Sequence, residues 1–213
     1  MIAAAALFLL AVQEPVQPPQ ASDIKPSPWR EMPGTPDEQE REARSPEWAY
    51  KSASCVVGNS GDKVATALSK DYRSAEYQRM FATILQNNGG CFGSRGRAPR
   101  LSLVLTGALA ERVLARDPAP LNARLARAAG SPAPEAQSEG DAAAICTVRS
   151  IPDDVAAWLK TAPGSAESAA AAKPVEMVFG RCTRDAAKTK FAGQRLRALV
   201  ALAALRSVNP ASN

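Results

Sequence analysis

Residues 55–91 read CVVGNSGDKVATALSKDYRSAEYQRMFATILQNNGGC, and residues 146–182 read CTVRSIPDDVAAWLKTAPGSAESAAAAKPVEMVFGRC. Cysteines 36 positions apart bracket both stretches. Sliding one onto the other by 91 positions, without a gap, superposes Asp62 on Asp153, Val64 on Val155, Leu68 on Leu159, and Ser74-Ala75-Glu76 on Ser165-Ala166-Glu167. One equal spacing can arise by chance, but an offset that recovers all these positions points to duplication of one unit.

The local pattern within the unit is helical. In the first copy Asn59 or Ser60 can cap a helix carrying Val64 and Leu68, and in the second Ser150 takes that place ahead of Val155, Trp158 and Leu159. Ser74 opens the next helix, in which Tyr77, Met80, Phe81, Ile84 and Leu85 recur at the three-and-four spacing of one face. Asn87-Asn88-Gly89-Gly90 stops it, because Asn and Gly tolerate the left-handed conformation that caps a helix C-terminus. In the second copy Pro163-Gly164-Ser165 makes the turn, and the helix that follows is expected to break near Pro174 before it reaches Cys182. A longer helix follows each second cysteine, from Pro99 to about Arg116 and from Asp185 to Ser207. Its first copy places Leu101, Val104, Leu105, Ala108, Leu109, Arg112 and Val113 on one side. Gly107 and Gly193 then correspond only if the offset slips to 86.

Composition agrees with this reading. The 213 residues are 46% apolar but only 5% aromatic, with Ala abundant and the strand-favouring residues scarce. Ala is the strongest helix former, so the expectation is an all-α fold of two tandem diverged three-helix units, each with one disulfide. The units are bounded at 45–130 and 143–207, with a Pro/Ser/Glu-rich linker at 131–142 and a tail at 208–213.

The cysteines and the N-terminal residues indicate a compartment. Four cysteines with no histidine suit a disulfide framework better than a zinc site, which draws on His or on close C-x2-C pairs. Four cysteines allow three pairings. Duplication favours Cys55 with Cys91 and Cys146 with Cys182, because a copied unit carries its own bridge. Closing each loop stabilises its unit by about 4 kcal/mol in the chain-entropy model. The apolar run Met1 to Val12 has the length of a signal-peptide core and is too short to span a bilayer, so residues 1–13 read as a signal peptide and 14–44 as a Pro/Glu-rich tether.

The Cys, the capped helix, the Ser-Ala-Glu turn, the second Cys and the Gly107-Ala108-Leu109-Ala110-Glu111 helix together resemble exported proteins of Ala-rich bacterial proteomes, over roughly Cys55 to Leu205. The resemblance implies a helical fold and export, and it transfers no active site. The second copy departs from it by placing Arg195-Leu196-Arg197 where the acidic end of that motif would fall.

Absence of histidine removes the Ser-His-Asp and Cys-His designs and any His-bound metal, and no cofactor is implied. A carboxylate-dependent cell-envelope hydrolase is the alternative, with Asp153, Asp154, Glu167 and Glu176 as its acids. The simpler account of Asp153 and Asp154 is the first turn of a helix, where negative charge favours the dipole. Charge distribution points outward more strongly. Residues 1–51 hold 5 Lys/Arg against 8 Asp/Glu, and residues 52–213 hold 21 against 13. Arg95, Arg97 and Arg100 follow the first bridge, and Arg181, Arg184, Lys188 and Lys190 surround the second. These are the expected contacts to an anionic envelope polymer, lipid or envelope protein, in a binding or structural module. Nucleic acid fits less well, since only Phe92 interleaves with the arginines.

Overall fold

A computed structural model describes residues 46–93, 101–184 and 191–209, and all regular structure among the described residues is helical. Four α-helices precede residue 131: α1 (Glu47–Ser69), α2 (Ala75–Asn87), α3 (Leu103–Leu114) and α4 (Leu121–Ala129), with a 3-10 turn at Gly89–Phe92. Four more follow it: α5 (Glu139–Ser150), α6 (Pro152–Lys160), α7 (Ala166–Cys182) and α8 (Gly193–Val208).

Two of these helices are apolar nearly all round. Leu103 to Ala110 of α3 are buried without interruption, as are Leu196 to Leu205 of α8, the pattern of helices enclosed by others. They pack against each other at the centre, with α1 on the outer side of α3 and α5 on that of α8. One apolar core runs through both halves of the chain. Small residues permit the central contact: a Cβ built on Gly107 would lie 2.3 Å from the Cα of Ala198. Composition fits this geometry, because Ala-rich helices bury little area per residue and gain contact by close approach.

The backbone leaves helical geometry at matching places. Ser60 bends α1 (φ −141°, ψ 27°), and Ile151, 91 residues later, separates α5 from α6 (φ −138°, ψ 62°). Lys70 and Thr161 then end their helices in extended conformation, and Ser74 and Ser165 cap the next ones, accepting from the amides of Tyr77 at 3.1 Å and Ser168 at 3.0 Å. The bridges join Cys55 to Cys91 and Cys146 to Cys182, with Cα atoms 5.6 and 5.9 Å apart. Each ties the first helix of its half to the end of the helix that follows the turn.

Other expectations are corrected. The residue before α6 is Ile151, with Pro152 at the first helical position; the Ser150 hydroxyl instead donates back to the carbonyl of Cys146 at 2.8 Å. Pro174 does not break α7, although an interior proline costs a helix about 3 kcal/mol. Ala172, Val175 and Phe179 keep the helix buried on both sides of it, and the disulfide anchors its end. Ser102 caps α3 by accepting from the amide of Leu105, so that helix opens at Leu103 rather than Pro99, and α8 opens at Gly193 rather than Asp185. Arg112, read as part of the apolar side of α3, is exposed.

The three-helix reading lacked α4, which lies against α6. Its last carbonyls, those of Ala128 and Ala129, accept from the Arg149 guanidinium, which also reaches Ser131. Residues 131–142 are likewise more ordered than a linker. Ser138 caps α5, and Asp141 accepts from the Gln137 amide at 2.8 Å and from Arg206 of α8 at 2.6 Å.

Gly107→Ala is expected to cost about 3 kcal/mol, since neither backbone can retreat from the added carbon without disturbing the core. Gly180→Ala, where a Cβ meets nothing within 4 Å, should be neutral or stabilise the fold. Urea unfolding of the two variants checks both outcomes.

Candidate functional site

Charge in the protein interior gathers at one point. Arg197 of α8 is 1% exposed and meets Glu111 of α3, 8% exposed, through two bonds of 2.8 and 2.9 Å. The two residues are 86 apart, the slipped offset that aligns Gly107 with Gly193. Arg197 also donates to the carbonyls of Trp158, Leu159 and Thr161, each at 3.0 Å, and to the hydroxyls of Thr161 and Ser168. Those carbonyls lie at the end of α6, where the Trp158 carbonyl also accepts from the Thr161 amide and hydroxyl, so the guanidinium adds to the C-terminal cap. From α1 the Tyr50 hydroxyl donates to Glu111 at 2.5 Å. Burial, followed by the nearby Glu111 charge, raises the Tyr50 pKa above its ordinary value, which keeps the phenol a donor.

Every nitrogen of the Arg197 guanidinium is engaged and its charge is matched, so the chemistry of this cluster is that of a structural lock. Sequence reading placed Arg195-Leu196-Arg197 as a departure from an acidic motif. The available signal was a cation adjoining the uninterrupted apolar run Ala198 to Leu205, next to Leu196.

Among the described residues, the cations and acids expected to carry function lie on the surface. Arg181, in the last turn of α7, and Arg184, just beyond it, are both exposed; Arg181 Nη2 lies 3.6 Å from the sulfur of Met177, itself 55% exposed. Arg95, Arg97, Arg100, Lys188 and Lys190 lie outside the described residues. Asp153, Asp154, Glu167 and Glu176 are all exposed on α6 and α7, and Asp153 accepts from Asn122 at 2.9 Å. Asp153, Asp154 and Glu167 occupy first turns, the position that the simpler account gave to the two aspartates. All four cysteines are paired. Among the described residues no cluster of His, Cys, Asp or Glu could hold a metal, and no helix is long and apolar enough to cross a membrane.

The bend at Ser60 opens a groove that sequence reading did not anticipate. It holds about 570 Å³ and is lined by Asn59 to Lys63 of α1, by Arg112 of α3 and by Arg116 just beyond the end of α3. Asn88 fixes the bend, donating to the Ser60 hydroxyl at 3.1 Å and accepting from Asn59 at 3.1 Å. Its cations come from segments 50 residues apart in the chain, so no local motif announces them. No protein-family model, curated protein or solved structure matches the chain.

Removing one partner of the interior pair leaves the other charge buried and alone. Arg197→Met and Glu111→Gln are each expected to cost about 3 to 5 kcal/mol, and a double Glu111→Leu/Arg197→Met variant less than the sum of the single changes. Chemical denaturation followed by circular dichroism measures the difference.

Proposed function

We propose that the chain is an exported binding or structural module of the cell envelope, which meets anionic surfaces through basic side chains near the second cysteine of each half. The observation that carries the reading is the pair of exposed cations flanking Cys182: Arg181, whose contact among the described residues is the Met177 sulfur, and Arg184. A guanidinium left to solvent can engage phosphate or carboxylate, whereas one already satisfied, like Arg197, cannot. Two disulfides fit an oxidising compartment, and the Met1 to Val12 run fits a leader.

We further infer two diverged copies of one unit. Helix breaks at Ser60 and Ile151, helix ends at Lys70 and Thr161, caps at Ser74 and Ser165, and both bridges support this at a single offset. The proposed surface contact belongs to both copies, through Arg95, Arg97 and Arg100 in the first and Arg181, Arg184, Lys188 and Lys190 in the second.

The purified protein should sediment with anionic vesicles or isolated envelope at low ionic strength and lose that association steeply as salt rises, because charges more than about 8 Å apart are screened at physiological salt. Changing Arg95, Arg97, Arg100, Arg181 and Arg184 to Gln should weaken sedimentation while leaving the helical signal and thermal midpoint nearly unchanged. Failure of the wild type to sediment at low salt overturns the reading.

A further inference from the structure

The geometry points to a phosphate-binding site in the groove at the bend of α1, formed by Lys63, Arg112 and Arg116. It involves none of the basic residues of the preceding section and stands independently of them.

Position is the first argument. Arg112 lies in the last turn of α3 and Arg116 in the turn just beyond its end, and both side chains line the groove. Lys63 enters from α1, and Asp62 is the one carboxylate among the lining residues. Three cations against one anion leave a local excess of two positive charges, which matches the charge of a phosphate monoester near neutral pH.

The two guanidinia are held before any ligand arrives. Gly61 is buried, and a Cβ there would lie 2.3 Å from Nη1 and 2.7 Å from Cζ of Arg116. The guanidinium therefore rests against the backbone in space that only glycine leaves open. Asp62 accepts from Nη1 at 2.7 Å and fixes its direction. Arg112 lies 6.0 Å from the ring centre of Tyr50, whose hydroxyl is tied to Glu111. No carboxylate pairs with Arg112 among the described residues. Both guanidinia thus pay less ordering entropy on binding than free side chains would, and each can present two donors to a tetrahedral oxyanion.

Phosphate is preferred to a carboxylate polymer because the excess charge is concentrated in one groove rather than spread along a track. Free phosphate, a soluble phosphomonoester and an anionic lipid headgroup share this chemistry, so the test separates them. The intact disulfide-bonded protein, labelled with nitrogen-15, is titrated at low salt with inorganic phosphate and with glycerol 1-phosphate. In parallel it is sedimented with phosphatidylcholine vesicles with and without phosphatidic acid. Saturable shifts confined to residues 58–63 and 112–116 are expected. Arg112→Gln/Arg116→Gln should weaken binding about tenfold or more. Gly61→Ala, which displaces the Arg116 guanidinium while leaving net charge unchanged, should also weaken it.

Shifts with free phosphate and glycerol phosphate but no vesicle binding assign a soluble source; vesicle binding in addition, lost in the double Arg variant, assigns a headgroup. Absence of saturable shifts in the wild type overturns the proposal. So does binding that survives both the double Arg variant and Gly61→Ala, since diffuse surface charge would then account for it.

Discussion

The fold depends on one guanidinium that has been taken out of water. Arg197 can occupy the interior because its charge meets Glu111 and its remaining donors meet carbonyls at the end of α6 and two hydroxyls. Those partners come from α3, α6, α7 and the turn after α6, and Tyr50 adds α1 through Glu111. A single buried cation therefore fixes the relative placement of five helices, counting its own. Burial of such a pair adds little stability when compared with apolar side chains of similar volume. Its physical effect is selective: alternative packings of α8 on α3 would leave a carboxylate or a guanidinium buried without its partner, a penalty of several kcal/mol.

Around that lock, the polar contacts at the joints follow the same logic. Arg149 closes the end of α4, and Arg206 joins α8 to Asp141 and to the carbonyl of Glu135. Tyr72 donates its hydroxyl to the Gln137 carbonyl, so the segment between the halves is held against the turn before α2. These arginines engage groups that helix ends and irregular backbone leave open, in a protein whose Ala-rich helices have few large side chains to cover them. Two arginines in particular, Arg149 and Arg206, turn the stretch read as a linker into part of the folded body.

What was legible in the sequence was local. Ser74, Ser165 and the Gly164 turn could be read because capping and turn chemistry act over three or four residues, whereas the helix before Cys91 ends at Asn87 as expected but without the left-handed cap, Asn88 having φ −114° and leading into a 3-10 turn. The disulfide pairing followed from spacing alone. Pro174 was misread because its local cost is outweighed by burial of Ala172, Val175 and Phe179, which only the assembled fold reveals. Helix α4 was missed because it buries little beyond Leu125 and Ala128 and lacks a side-chain cap. Lys63, Arg112 and Arg116 could not be grouped beforehand, since a bend in one helix and a face of another bring them together.

At the offset of the proposed duplication, most residues of the groove differ between the halves. Carried forward by 91 positions, Gly61, Asp62, Lys63 and Asn88 become Pro152, Asp153, Asp154 and Phe179; carried forward by 86, Arg112 and Arg116 become Ala198 and Leu202. The second half keeps the break in the backbone but has no glycine to seat a guanidinium, no asparagine to staple the bend and no cation on the facing helix. Ala198 and Leu202 are instead buried in the core, where Ala198 makes the close approach to Gly107. The same helix position thus serves packing in one half and an exposed charge in the other. Caps, breaks and Asp62 recur at that offset while Lys63, Arg112 and Arg116 do not, so the break in the backbone does not itself require the three cations.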